Sequence, residues 1–191
     1  MKYHGIIFDM DGTITVPIMD FNRLRQTLGI PAGQDIVRTL KLRPEQEQRQ
    51  AWRTIENYEN EQAEQNALQP GVRETLRCFA EHNIKLALLT RNTSRNVTRL
   101  RERFGLSFDL CLSRDFEFIK PSPKPIRHIL ERWGITPQHC LVVGDYLHDL
   151  ECGQAAGCPT CFFHNDGKDS YAAHADYTVT NYRELKELVL A

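Results

Sequence analysis

What this sequence lacks already narrows its possible roles. No apolar run approaches the ~18–20 residues that a membrane-spanning helix needs, so no membrane partner is expected. Net charge is nearly absent: 24 Lys and Arg stand against 25 Asp and Glu, a formal −1. That removes the electrostatic footprint of a general nucleic-acid binder. The opening residues, Met1 to Asp9, hold too short an apolar stretch for a secretory signal and meet an acid at once. Six cysteines without an export signal point to reduced thiols and a cytoplasmic location. Cys158-Pro159-Thr160-Cys161 has no second CxxC to complete a zinc site. It opens an apolar run rather than a helix, as a redox pair would, so Cys158 and Cys161 are expected to be structural. No internal repeat or low-complexity tract stands out. What remains is ordinary globular material of 191 residues, 41% hydrophobic and 26% charged. That length suits one domain, or one core with a modest insertion.

Short apolar runs alternate with helix-like segments. Ile6-Ile7-Phe8, Leu86-Ala87-Leu88-Leu89, Leu110-Cys111-Leu112, Leu141-Val142-Val143 and Cys161-Phe162-Phe163 read as strands covered on both faces. Between them, Val72, Leu76 and Phe79 keep helical spacing. So do Val97, Leu100 and Phe104 before Gly105, and Ile126, Ile129, Leu130 and Trp133 before Gly134, each glycine standing where a helix stops. Strand-helix repetition predicts an α/β fold, a doubly wound, Rossmann-like parallel sheet with its site at the carboxyl ends of the strands. One stretch breaks the rhythm. Residues 17–68 carry no strand signal, and Pro44 to Asn66 is rich in Glu, Gln and Arg, with Ala51, Trp52, Ile55 and Tyr58 at three- and four-residue spacing. This predicts a long helix with a narrow apolar stripe. Residues 17–68 are read as a small helical cap inserted after the first strand, and 1–16 with 69–191 as the core; a plain surface helix is the alternative.

Chemistry gathers at the strand ends. The first strand runs into Asp9-Met10-Asp11-Gly12-Thr13, two carboxylates at i and i+2 followed by glycine. One Asp-Gly pair suits an Asx turn, which does not explain the repeated acid. The fourth strand runs into Gly144-Asp145-Tyr146-Leu147-His148-Asp149, where a helical turn would put Asp145 and Asp149 on a common face. Strands one and four of a doubly wound sheet can be neighbours. Four acids converging there would repel unless a divalent cation or proton sharing relieved them, and hard oxygen ligands favour Mg²⁺. The second strand ends in Thr90-Arg91-Asn92-Thr93, a hydroxyl and backbone N–H groups at a helix start, suited to phosphate or to plain capping. Lys120 precedes the proline-stiffened turn Pro121-Ser122-Pro123-Lys124-Pro125 and is a candidate fixed positive charge. His148 reads as a surface residue.

Taken together, these segments resemble the haloacid dehalogenase superfamily over nearly the whole chain. Residues 9–13 match its DxDGT motif and Thr90 its second motif. Lys120 matches the third, in a KPxPxP setting, and Gly144-Asp145 through Asp149 the GDxxxD motif with its trailing small residues Gly153, Ala155, Ala156 and Gly157. Leu68-Gln69-Pro70-Gly71-Val72 resembles the usual return from cap to core, and Thr15 stands where members often carry an aspartate. The cap is shorter than in the larger-capped phosphoglycolate phosphatase-like members.

The resemblance implies a Mg²⁺-dependent phosphatase acting on a small phosphorylated metabolite through an aspartyl-phosphate. It makes Asp9 the nucleophile and Asp11 the general acid and then base. Asp9, the Asp11 carbonyl and Asp145 would hold the metal, and Asp149 a metal-bound water or Lys120. Thr90, the Arg91 N–H and Asn92 would take phosphoryl oxygens, Lys120 would offset charge on nucleophile and phosphate, and Gly12, Thr13 and Gly144 would support the loops. A phosphomutase of the same superfamily and an inactive binding or regulatory relative are the alternatives, while Asp11 argues against a dehalogenase. Phosphoglycolate, a sugar phosphate and a nucleoside monophosphate are candidate substrates, with Arg23, Arg25, Trp52, Arg53 and Tyr58 as candidates for reading them.

Overall fold

The computed structural model describes residues 2–18, 20–165 and 171–191. Six strands form one parallel sheet: β1 (Gly5–Phe8), β2 (Lys85–Leu89), β3 (Leu110–Leu112), β4 (Cys140–Gly144), β5 (Thr160–Phe163) and β6 (Tyr177–Val179). Their order is β3-β2-β1-β4-β5-β6, the doubly wound arrangement the alternating pattern predicted. The chain reverses direction across the sheet between β1 and β4, which pair in register from Gly5 with Cys140 to Phe8 with Val143. Ligands of such sheets collect at the carboxyl ends of strands at this crossover.

The strands are apolar throughout because both faces are covered. Ile6 and Phe8 point into one layer with Val72, Leu76, Phe79, Val97, Leu100, Tyr182, Leu185 and Val189. Those residues belong to α4 (Val72–Glu81), α5 (Ser94–Phe104) and α8 (Tyr182–Leu190), while α1 (Phe21–Thr27), α2 (Ile36–Leu40) and α3 (Glu45–Gln65) lie elsewhere. Ile7, Ala87 and Leu89 point the other way, onto Ile126, Ile129, Leu130, Cys152 and Ala156 of α6 (Lys124–Trp133) and α7 (Leu147–Ala156). Gly105 and Gly134 do end α5 and α6, in left-handed conformation at φ +62° and +65°. All six cysteines are free thiols, and Cys158 and Cys161 are buried, packing as small apolar groups in opposite layers.

Two elements were not anticipated, β6 and α8. A three-residue edge strand is too short to show a period, and α8 follows it so closely that the pair gives little sequence contrast.

The chain divides into two compact units, Met1–Pro17 with Ala67–Ala191, and Ile18–Asn66. The second is helical. Asp20 caps α1, accepting from the N–H groups of Asn22 and Arg23, and Asp35 caps α2 through Arg38 N–H. Helix α3 buries Ala51 and Ile55 against Leu24, Leu28, Ile30 and Leu40, with Trp52 and Tyr58 at the margin. That is the narrow stripe read from the sequence.

Candidate active site

The site is assembled by the loop after β1. Asp9 continues the ladder, its N–H donating to Val143 O at 2.9 Å, which sets it at the mouth of β4. The chain then coils tightly: Ile14 and Thr15 N–H both reach Met10 O at 2.9 Å, and Gly12 N–H reaches Thr15 O at 3.0 Å. Three distant side chains pin the loop's carbonyls. Gln69 Nε2 donates to Gly12 O at 3.1 Å, Asn165 Nδ2 donates to the same oxygen, and Tyr182 Oη donates to Thr13 O at 2.9 Å. Sequence reading missed Asn165 and Tyr182. Asn165 could have been found by the signal that exposed the acids, since it is a polar residue just past an apolar strand. Tyr182 gives no such signal.

Glycine is required at two points here because carboxylates pass against the main chain. A Cβ on Gly12, at φ +97°, would lie 2.1 Å from Asp145 Oδ2, and one on Gly144 would lie 2.3 Å from Asp149 Cβ. These contacts explain Gly12 and Gly144 better than loop flexibility does. Asp145 and Asp149 do not converge through a shared helical face. Asp145 precedes α7, which begins at Leu147, while Asp149 lies in its first turn and accepts from Tyr146 N–H through Oδ2 at 3.1 Å. The bare Gly144 backbone lets them meet. Asp145 is held by Thr13 Oγ1 on Oδ1 at 3.2 Å and by Asn165 Nδ2 on Oδ2 at 3.3 Å.

Lys120 is 5% exposed. Its Nζ donates to Asp9 Oδ1 and, at 2.6 Å, to Asp149 Oδ1, so one buried ammonium bridges acids from β1 and α7. Carboxylate oxygens of Asp9, Asp145 and Asp149 all lie within 4.8 Å of one another. Burial raises the Asp9 carboxyl well above the usual range; Lys120 opposes this, and Asp149, Asp145 and Asp11 add to it. Burial, then repulsion from Asp149, pushes Asp145 up to about 7. Burial also raises Asp11, against a hydrogen bond from Asn92. For Lys120, burial alone would lower the pKa, but Asp149 and Asp9 overcome it and hold the ammonium above its ordinary value. Among the described residues, Lys120 is the cation paired with these acids, and their mutual repulsion adds to the raised carboxyl pKa values.

On the β2 side, Thr90 and Asn92 are buried. Thr90 Oγ1 accepts from Asn92 N–H at 3.0 Å, which leaves its own proton to donate. Asn92 was expected among the phosphoryl-binding groups. Its N–H donates to Thr90 Oγ1, and its Nδ2 donates to Asp11 Oδ2 at 3.1 Å, which sets Asn92 between the hydroxyl and the acid. Thr93 caps α5 by accepting from Asn96 N–H, the plain capping role. His148 pairs with Glu151 Oε2 at 3.3 Å.

Fold and site together define an α/β protein that concentrates carboxylates, a lysine and a hydroxyl at the carboxyl edge of a parallel sheet. A family model described as haloacid dehalogenase-like hydrolase matches residues 15–163, a stretch that carries Thr90, Lys120, Asp145 and Asp149. A haloacid dehalogenase-like hydrolase domain-containing protein of Arabidopsis thaliana is 34% identical over 98% of this chain and 84% of its own. A phosphoglycolate phosphatase of Chromobacterium violaceum is 28% identical over 97% of this chain and 96% of its own. Among solved structures, a hydrolase from Pseudomonas syringae superimposes with a TM-score of 0.82 at 18% identity, covering 96% of each chain, which shows a shared fold. The chain belongs to the haloacid dehalogenase-like hydrolases, and it is a hydrolase of that family. No helix among the described residues is long and apolar enough to cross a membrane.

Proposed function

We propose that this hydrolase is a phosphatase that cleaves a small phosphomonoester through an aspartyl-phosphate, with Mg²⁺ as cofactor. The observation that carries the reading is the Lys120 bridge between Asp9 and Asp149 beside Asp145. It combines a nucleophile, a fixed cation and clustered hard oxygen donors at one strand crossover.

The donor set suits a hard divalent cation: it is all carboxylate, closely spaced and largely buried, and the acids repel one another. Asp149 has both oxygens engaged, by Lys120 and by Tyr146 N–H. Asp9 and Asp145, with the Asp11 carbonyl, would hold Mg²⁺, as the family resemblance implies, with Asp149 holding Lys120 beside them. When bound, Mg²⁺ would supply positive charge against the phosphoryl group and the nucleophile.

Asp9 attacks phosphorus as the bond to the ester oxygen breaks, and Asp11 gives its proton to that oxygen, releasing an alcohol. Asp11, now ionised, takes a proton from water as the water attacks the aspartyl-phosphate, which frees inorganic phosphate and restores Asp9. Thr90 Oγ1–H, Arg91 N–H and Lys120 hold phosphoryl oxygens. Lys120 also orients Asp9 and opposes the rise in its pKa that burial causes. Phosphate-monoester hydrolysis is among the slowest uncatalysed reactions, with accelerations up to ~10²¹, so positioning and fixed charge must carry most of the effect. The phosphoglycolate phosphatase relative favours a small phosphorylated acid as substrate. Residues 18–66, with Arg23, Arg25, Trp52, Arg53 and Tyr58, are the proposed source of substrate choice.

The test is phosphate release from p-nitrophenyl phosphate and a metabolite panel that includes phosphoglycolate, with Mg²⁺ and with EDTA. Mg²⁺-dependent release is expected, abolished by Asp9→Asn. Activity surviving exhaustive chelation would remove the metal, and residual Asp9→Asn turnover above about a hundredth of wild type would remove the nucleophile.

A further inference from the structure

Asn92 does more than line the loop after β2. Its side-chain oxygen receives two donors, Thr93 N–H at 2.8 Å and Asn96 Nδ2 at 2.9 Å. An oxygen so occupied fixes which end of the amide is which, so the Nδ2 end must face Asp11. It donates to Asp11 Oδ2 at 3.1 Å. Asn92 is 5% exposed and Asn96 1%, so water does not compete for these bonds.

The arrangement comes at a cost elsewhere. Asn96 Oδ1 is buried with no hydrogen-bond partner among the described residues. Turning the Asn96 amide over would set two oxygens against each other at Asn92. A buried acceptor left unsatisfied needs an explanation, and here it follows from spending the Asn96 Nδ2 donor on Asn92.

We infer that Asn92, backed by Asn96 and Thr93 N–H, is a positioning residue for Asp11. It selects the carboxyl's rotamer and decides which oxygen carries the proton. With Oδ2 accepting an amide N–H, the transferable proton resides on Oδ1. That proton passes to the ester oxygen as the phosphorus–oxygen bond breaks. The inference rests on the reading of Asp11 as acid and then base.

The experiment compares phenyl phosphate with p-nitrophenyl phosphate, since a poor leaving group needs the acid and a good one much less. Wild type, Asp11→Asn, Asn92→Ala, Asn96→Ala and the Asp11→Asn/Asn92→Ala double variant are measured for kcat/KM, with a thermal melt for each. Positioned general acids contribute about 10²–10⁴-fold. Asn92→Ala should therefore lower kcat/KM for phenyl phosphate at least about 10-fold more than for p-nitrophenyl phosphate. Asn96→Ala should give a smaller split in the same direction. The double variant should lose no more selectivity than Asp11→Asn alone, because the two residues act as one unit. If Asp11→Asn splits the esters but Asn92→Ala slows both equally, the positioning role is overturned and the acid stands. If Asp11→Asn itself shows no split, the acid assignment fails and the inference falls with it. Should Asn92→Ala not fold, Asn96→Ala decides, and a uniform loss there overturns the inference.

Discussion

At Gly12 a single methyl group would disturb the site twice over. A Cβ would sit 2.1 Å from Asp145 Oδ2 on a backbone at φ +97°, a region that L side chains rarely adopt. Gly12→Ala should displace Asp145 and lower turnover by at least about 10-fold, since sub-ångström misplacement of catalytic groups is expensive. Strain at such a position costs roughly 1–3 kcal/mol. Steady-state kinetics beside a thermal melt would check both, and wild-type turnover would show that Asp145 has room to yield. Asn165→Ala belongs to the same scale. It removes the donor shared by Gly12 O and Asp145 Oδ2, and should raise the Mg²⁺ concentration needed for half-maximal activity. An unchanged Mg²⁺ dependence would reduce Asn165 to a loop tie.

Among the elements, α8 links the last part of the chain to the first loop. Tyr182 is fully buried, packs on Phe8 and Phe163 and bonds Thr13 O. Burial raises its phenol well above the ordinary value, with Asp9 and Asp145 adding to the shift, so it stays a neutral donor. Tyr182→Phe keeps the ring and strands the Thr13 carbonyl, which should cost about 1–3 kcal/mol in urea unfolding. An unfolding midpoint equal to wild type would mean that water replaces the phenol. The site elements themselves were readable from the sequence because each strand end shows the same break, an apolar run stopping on Asp or Thr. The short β6 offers no such break, and Tyr182 lies in a helix, α8, that was not read from the sequence.

Across the whole molecule, stability should depend on pH and on the metal together. The Asp9 and Asp145 carboxyls are raised in the folded protein, Asp145 to about 7 from its ordinary 3.8. The folded state therefore binds more protons than the unfolded chain in that window. Stability of the metal-free protein is fully present below about pH 4 as far as these groups are concerned, and falls as pH rises through about 7. Lys120 does not enter this window, because its contribution is lost only above the ordinary lysine range. Mg²⁺ needs the ionised carboxylates, so its rise in Tm should be larger at pH 8 than at pH 5. Equal shifts at both pH values would separate the ion from these acids. Substrate choice is the other property at this scale. If residues 18–66 read the leaving group, Arg53→Ala should reorder relative rates across a metabolite panel and change p-nitrophenyl phosphate hydrolysis little. A uniform loss would return that role to the core loops.

The sequence by itself determined the alternating α/β plan, the helix stops at Gly105 and Gly134, the stripe of α3 and the acids at two strand ends. All of these are local: periodicity, a cap or a break in polarity is written within a few residues. Only the tertiary structure decided that Lys120 bridges Asp9 and Asp149, that Asn92 turns to Asp11, and that Asn165, Gln69 and Tyr182 hold the first loop. Each of those pairs residues far apart in the chain that the fold brings to the carboxyl ends of the strands. Which donor meets which acceptor there depends on register and on the approach that missing glycine side chains allow. No pattern along the chain encodes those distances, and they appear only once the sheet and its covering helices are assembled.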